Sequence, residues 1–117
     1  MNIEDKYREK VNLIRSNRSK ACDIKPVVRA VVKERDGHHC INCGISSHLQ
    51  LAHVFVNRSH GGLGVAQNLV TLCIGCHMSL DNGRYDKSKP VRELCESYLK
   101  RMYPSFDFDT LKYKKGE

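Results

Sequence analysis

Four of the six cysteines fall in two matched pairs, Cys40-Ile41-Asn42-Cys43 and Cys73-Ile74-Gly75-Cys76. Two residues between the members of each pair allow a tight knuckle that presents both sulfurs to one ion about 2.3 Å away, with Gly44 and Gly75 easing the turns. Four thiolates complete a tetrahedron and leave no position for substrate. The expected role is therefore a structural Zn²⁺ site whose binding energy supports the fold. Two unrelated pairs of buried thiols, or a redox pair, are the alternatives, and neither pair has the strand-helix setting of a thioredoxin-type motif. Cys22 and Cys95 stand outside the quartet. Cys95 falls on an apolar helical stripe and reads as core, while Cys22 sits in a connector with no partner in view.

Between the knuckles, Leu49, Leu51 and His53 alternate along one face of a short strand, so an imidazole occupies a place the pattern gives to an apolar side chain. A glycine-rich excursion, Gly61-Gly62-Leu63-Gly64, follows. Asn68 then opens a second apolar strand that delivers Cys73, and His77 stands directly after Cys76 at the expected start of a helix. His53, Asn68 and His77, in that order and framed by two C-x-x-C knuckles, resemble the HNH family of nucleases. The likeness extends to Arg35-Asp36-Gly37, Arg58-Ser59, Gly61-Gly62, Asn68-Leu69-Val70 and Cys76-His77. It covers residues 35 to 82, with the flanks 1–34 and 88–103 as the helical additions of small phage-type members.

The resemblance implies one domain over residues 1–117 with an α+β fold: a ββα-metal (His-Me finger) core around a catalytic divalent cation, stapled by the four-cysteine zinc. It implies an endonuclease that nicks or cuts DNA by metal-dependent phosphodiester hydrolysis. In that scheme His53 is the general base, Asn68 braces the loop and sets the orientation of His53 without touching substrate, and His77 ligates Mg²⁺ or a similar ion. Arg58 is the expected phosphate contact, and His60, in the loop over the site, a phosphate contact or alternative base. One departure stands out. Many HNH sequences carry Asp or His before the general base as a metal ligand, and this chain has Ala52. Asp81, four residues after His77, projects from the same helical face and is expected to share the ion, the alternative being a plain helix-end residue. A binding module that keeps the fold without catalysis, and an RNA-binding zinc ribbon, are the rival functions.

The elements that must hold these groups are legible in part. Ile3, Tyr7, Val11 and Ile14 predict a basic amphipathic helix near the start, Ser16 to Asp23 reads as a connector, and Pro26 opens a helix through Val27, Val28, Val31 and Val32 that stops at Asp36-Gly37. Short strands and turns are expected from Cys40 to Asn82. After Ser88-Lys89-Pro90, the spacing of Val91, Leu94, Cys95, Tyr98, Leu99 and Met102 predicts a helix ended by Pro104, with Phe106, Phe108, Leu111 and Tyr113 anchoring the tail. The 117 residues, 13.4 kDa, hold no Trp and three Phe, too few large side chains for a core that stands by packing alone. Net charge is +7, and residues 1 to 35 hold ten Lys+Arg against five Asp+Glu, which points to a polyanionic partner, DNA in the nuclease reading. No apolar run suits a membrane span or secretion signal, so the expected location is the cytoplasm of a bacterial or phage-infected cell.

Overall fold

The computed structural model describes residues 17–81 and 85–114. The helix expected over Ile3 to Ile14 lies outside the described residues. The Asn17–Asp23 stretch, expected as a connector, contains helix α1 (Asn17–Cys22), a short element whose one buried residue is Cys22. With a single apolar anchor in six residues it carries no periodicity for a sequence reading to detect. Helix α2 (Pro26–Arg35) begins where expected: Lys25 is extended and Pro26 supplies the first-turn φ. It closes at Gly37, whose φ of +73° lets the chain reverse while the Gly37 and His38 amides donate to the Glu34 and Lys33 carbonyls.

Strands β1 (Leu49–His53) and β2 (Leu69–Cys73) pair antiparallel, with Leu49 opposite Cys73 and His53 opposite Leu69. Helix α3 (Ile74–Asp81) follows β2 without a break, so the sheet and its helix form the arrangement of a ββα-metal fold. Helix α4 (Tyr85–Met102) packs on α3. It begins three residues before Ser88 and takes in Pro90, so the proline falls within the helix rather than ahead of it.

The sheet is covered on both sides. Ala52, Val54, Val70 and Leu72 bury against Leu80, Val91, Cys95 and Leu99, while Leu51 and Leu69 meet Val32 of α2 with Ile24 and Val28 at the margin. At roughly 25 cal/mol per Å² of apolar surface, clusters this small leave a modest margin over chain entropy. Polar ties supplement them. The Asp36 carboxylate, fully buried, accepts from Arg35 Nε at 2.7 Å, the Thr71 amide at 2.7 Å and the Tyr98 hydroxyl at 2.6 Å. Arg35 donates onward to the Ala66 and Leu69 carbonyls and the Tyr103 hydroxyl. Burial works against the Arg35 charge, but the hydrogen bonds to Asp36 and Tyr103 outweigh it and hold the guanidinium protonated more firmly than usual. Burial and the neighbouring Asp36 carboxylate push the Tyr98 hydroxyl up to about 12, so it stays a donor. One ion pair thus joins α2, β2 and α4, and breaking one partner alone would leave a charge buried without its counter-charge. Among the described residues no helix is long and apolar enough to cross a membrane.

Candidate active site and metal centres

At the Leu49–Cys73 end of the sheet the Sγ atoms of Cys40, Cys43, Cys73 and Cys76 all lie within 4.8 Å of one another. An ion held at about 2.3 Å by four thiolates sets its ligands roughly 3.8 Å apart, and Cys43 Sγ lies 3.6 Å from Cys73 Sγ. The knuckles carry the amide-to-sulfur bonds that such sites use: Cys43 N to Cys40 Sγ at 3.5 Å and Cys76 N to Cys73 Sγ at 3.4 Å. Asn42 Nδ2 also donates to Cys76 Sγ at 3.3 Å. Burial opposes ionisation of Cys40, but backbone donors around it win and bring the thiol down to about 6. Cys76 moves the other way, pushed up to about 12 by burial and the crowding of the other thiols. Four thiolates cannot coexist there without a cation among them, and a closed four-sulfur set fits a metal such as zinc. Cys95 is fully buried on α4, in the same core cluster as Cys40 and Cys73 but not one of the four ligands.

At the other end His53, His77 and Asp81 line one cleft of about 700 Å³, with Arg29, Asn57 and Arg58 around it and Ile24 and Leu51 as its apolar floor. His53 closes β1. Its Nε2 lies 3.2 Å from the Cys22 carbonyl oxygen, and since a carbonyl only accepts, the proton sits on Nε2 and Nδ1 keeps its lone pair. Burial lowers the His53 pKa below its usual 6.5 against the raising hydrogen bond to the Cys22 carbonyl, and the Arg58 charge lowers it further. The same Cys22 oxygen accepts from Arg58 Nη1 at 2.8 Å, while Arg58 Nη2 pairs with Asp23 Oδ1 at 2.6 Å. The Arg58 guanidinium, expected to meet a phosphate, is thus engaged by the turn after α1. His60 shares the 3₁₀ turn Arg58–His60 but is not among the residues that line the cleft.

Asn68 is fully buried behind the cleft. Its Oδ1 accepts from the Phe55 and Val56 amides at 2.9 and 3.3 Å, and its Nδ2 donates to the Val56 and Leu63 carbonyls at 3.0 and 3.1 Å. One side chain thereby satisfies four backbone groups of the β1–β2 connection just past His53. The far side of that connection rests on α1: Gly64 N donates to the Ala21 carbonyl at 3.1 Å, and a side chain at Gly64 would collide with the Asp23 carbonyl. Glycine is required there by contact alone.

On α3 the His77 ring makes two polar contacts, Nδ1 to Gln50 Oε1 at 2.8 Å and Nε2 to Asp81 Oδ2 at 2.9 Å. With Nδ1 donating to Gln50, the lone pair on Nε2 faces a carboxylate oxygen, an arrangement that suits a shared cation, a proton or a metal. Two donors at 2.0–2.1 Å on adjacent corners of an octahedral ion stand about 2.9 Å apart, so the pair suits Mg²⁺ with water or substrate oxygens in the other positions. Among the described residues the cysteine quartet is the only group of three or more His, Cys, Asp or Glu ligands, so His77 and Asp81 would offer a cation two side-chain donors of these kinds. Ala52 does not face it. The strand register is regular through Ala52 opposite Val70, and the Ala52 side chain is fully buried in the core. Three contributors to this site carry no sequence signal: the Cys22 carbonyl, because a backbone oxygen has no residue signature, and Gln50 and Arg29, because only the fold brings them to the histidines.

No protein-family model and no curated protein matches this sequence. Among solved structures, the chain is similar to the Type IV phosphorothioation-dependent restriction endonuclease ScoMcrA, with a TM-score of 0.58 and 21% identity over 86% of this chain. The match spans 24% of that protein, and at this identity the likeness is one of fold.

Proposed function

We propose that the chain is a metal-dependent HNH-type endonuclease that hydrolyses phosphodiester bonds in DNA. The observation that carries the reading is a base of fixed tautomer, His53, sharing a cleft with a two-donor cation site, His77 and Asp81. The fold likeness to a restriction endonuclease supports DNA as substrate. In the reaction His53 Nδ1 takes a proton from water, the water oxygen bonds to phosphorus, and the bond from phosphorus to the leaving oxygen breaks. His77 and Asp81 would hold a divalent cation, which supplies charge to the leaving oxygen and the phosphorane. Asn68 keeps the connection after His53 rigid, and the Cys22 carbonyl holds the imidazole in its reactive tautomer. The four-cysteine centre takes a structural zinc.

A second reading, a DNA-binding module without catalysis, is favoured by the two-donor cation site and by Ala52 facing the core. Plasmid nicking by purified protein separates the two. Mg²⁺-dependent conversion of supercoiled to open-circular plasmid, lost by about 10²-fold or more in His53→Ala, is expected for the nuclease. Plasmid binding with no Mg²⁺-dependent conversion by parent or variant would leave only the binding module.

A further inference from the structure

We infer that Arg29, on the exposed side of α2, is the cation of the cleft that binds a phosphate of the substrate strand beside the scissile one. The inference rests on the nuclease reading for the identity of the substrate, and on charge accounting for the residue. The cleft is lined by two arginines, Arg29 and Arg58, and two carboxylates, Asp23 and Asp81. Asp23 is paired with Arg58, whose other terminal nitrogen is held by the Cys22 carbonyl. Asp81 is paired with His77. Arg29 is exposed, and its guanidinium makes no hydrogen bond or ion pair with any described residue. It is therefore the lining cation whose charge no described residue offsets, free to use its planar fork for two oxygens of a phosphate.

Position adds a second argument. Arg29 lines the cleft and also a neighbouring hollow of about 630 Å³ along α2, where Lys33 and His38 stand with one acid, Glu34. A strand leaving the cleft over α2 passes Arg29 first and Lys33 one turn later. Val28 and Val32, on the flank of the helix next to Arg29, pack toward Leu51 and Leu69, so the helix that carries Arg29 is fixed to the strand that carries His53. Arg58, by contrast, acts as a positioning residue through the Cys22 oxygen that also receives His53 Nε2–H.

The test measures duplex DNA binding by fluorescence anisotropy across a salt series without Mg²⁺, and plasmid nicking with Mg²⁺, for Arg29→Ala, Arg29→Lys and Arg101→Ala. Arg101 is an exposed arginine in the last turn of α4 and lines no part of the cleft, so its removal controls for net charge. Arg29→Ala is expected to weaken binding about tenfold and to flatten the slope of log K against log salt by about 0.9, with Arg29→Lys between it and the parent and Arg101→Ala near the parent. Arg29→Ala indistinguishable from Arg101→Ala overturns the assignment, whether or not the parent nicks plasmid. The contrast present with a parent that never nicks upholds Arg29 as the phosphate contact and overturns the nuclease reading alone.

Discussion

At the Leu49–Cys73 end of the sheet, four thiols from two short knuckles meet within 4.8 Å, each pair placed by two residues of spacing. At the His53–Leu69 end, the cleft is assembled from a strand end, a helix face, a buried amide and the backbone oxygen of Cys22, thirty-one positions before the histidine it orients. The first centre is closed and joins two local pairs; the second is open and draws single groups from separate elements. In the proposed reading the two do different work: a complete ligand shell binds a metal for stability, whereas a two-donor site keeps positions for water and substrate. The difference also ranks what each loss should cost.

The largest effect is expected at the closed end. Purified protein should contain about one zinc per chain, and stripping it, or making Cys43→Ser, should abolish the cooperative thermal transition. Structural zinc contributes about 10 kcal/mol or more, comparable with the whole stability of a small domain. Elemental analysis without zinc, or a Cys43→Ser variant that melts with the parent, would break the comparison at its root.

Next in size is the acid limb of cleavage, which reads the open end. Because burial and the Arg58 charge lower the His53 pKa, the neutral base persists below pH 6.5, and the rate should fall only at more acid values. The sign for stability follows from the same shift. The folded chain takes up this proton less readily than the unfolded one, so the contribution is full above pH 6.5 and is lost as pH falls through the lowered value. Arg58→Ala removes one of the lowering charges and should move the limb up toward 6.5. A limb that stays at its parental pH in Arg58→Ala would separate Arg58 from the base.

How much of this was legible depended on sequence distance. Each cysteine pair of the quartet, the helix from Pro26, the strand carrying His53 and the His77–Asp81 pair follow from spacings of four residues or fewer, and the matching C-x-x-C form links the two pairs. Helix α1 was missed because Cys22 alone anchors it, and the early start of α4 because Pro90 reads as a first-turn residue rather than an internal one. The groups that complete the cleft lie further off: Cys22, Asp23 and Arg29 come from before the first knuckle, and Gln50 reaches His77 across the fold. Ala52 shows the limit from the other side. Alternation alone puts it opposite His53, and the regular register keeps it in the core, so an acid placed there would be buried without a partner rather than bound to the ion.

Within the open end, Asp81 and Gln50 should differ in degree. Asp81→Ala is expected to raise the Mg²⁺ concentration for half-maximal nicking about tenfold or more, with zinc content and melting unchanged, since it removes one of two donors. Gln50→Ala, which frees His77 Nδ1 without removing a donor, should shift the same midpoint less. Equal midpoints for Asp81→Ala and parent would leave the ion to His77, water and substrate.

The smallest effect should come from the strand between the two centres. Thr71 is fully buried on β2; its amide is taken by Asp36 at 2.7 Å and its carbonyl accepts from Ile41 N at 3.1 Å, yet its Oγ1 is the one buried side-chain polar atom among the described residues with no hydrogen-bond partner. A buried hydroxyl without a partner costs about 1–3 kcal/mol, and valine has nearly the same shape with no polar atom to satisfy. The backbone bonds on both sides survive the change, because neither uses the side chain. Thr71→Val should therefore raise stability by about 1 kcal/mol in denaturant unfolding while zinc content and the Mg²⁺ midpoint stay at parental values. Since Thr71 pairs with Leu51, two residues before His53, and precedes Cys73 by two, a shift in either readout would mean that the two ends are coupled through β2. Stabilisation with both readouts unmoved would mean that each centre is held by its own ties: the knuckles by their metal, the cleft by Asn68 and the Cys22 carbonyl.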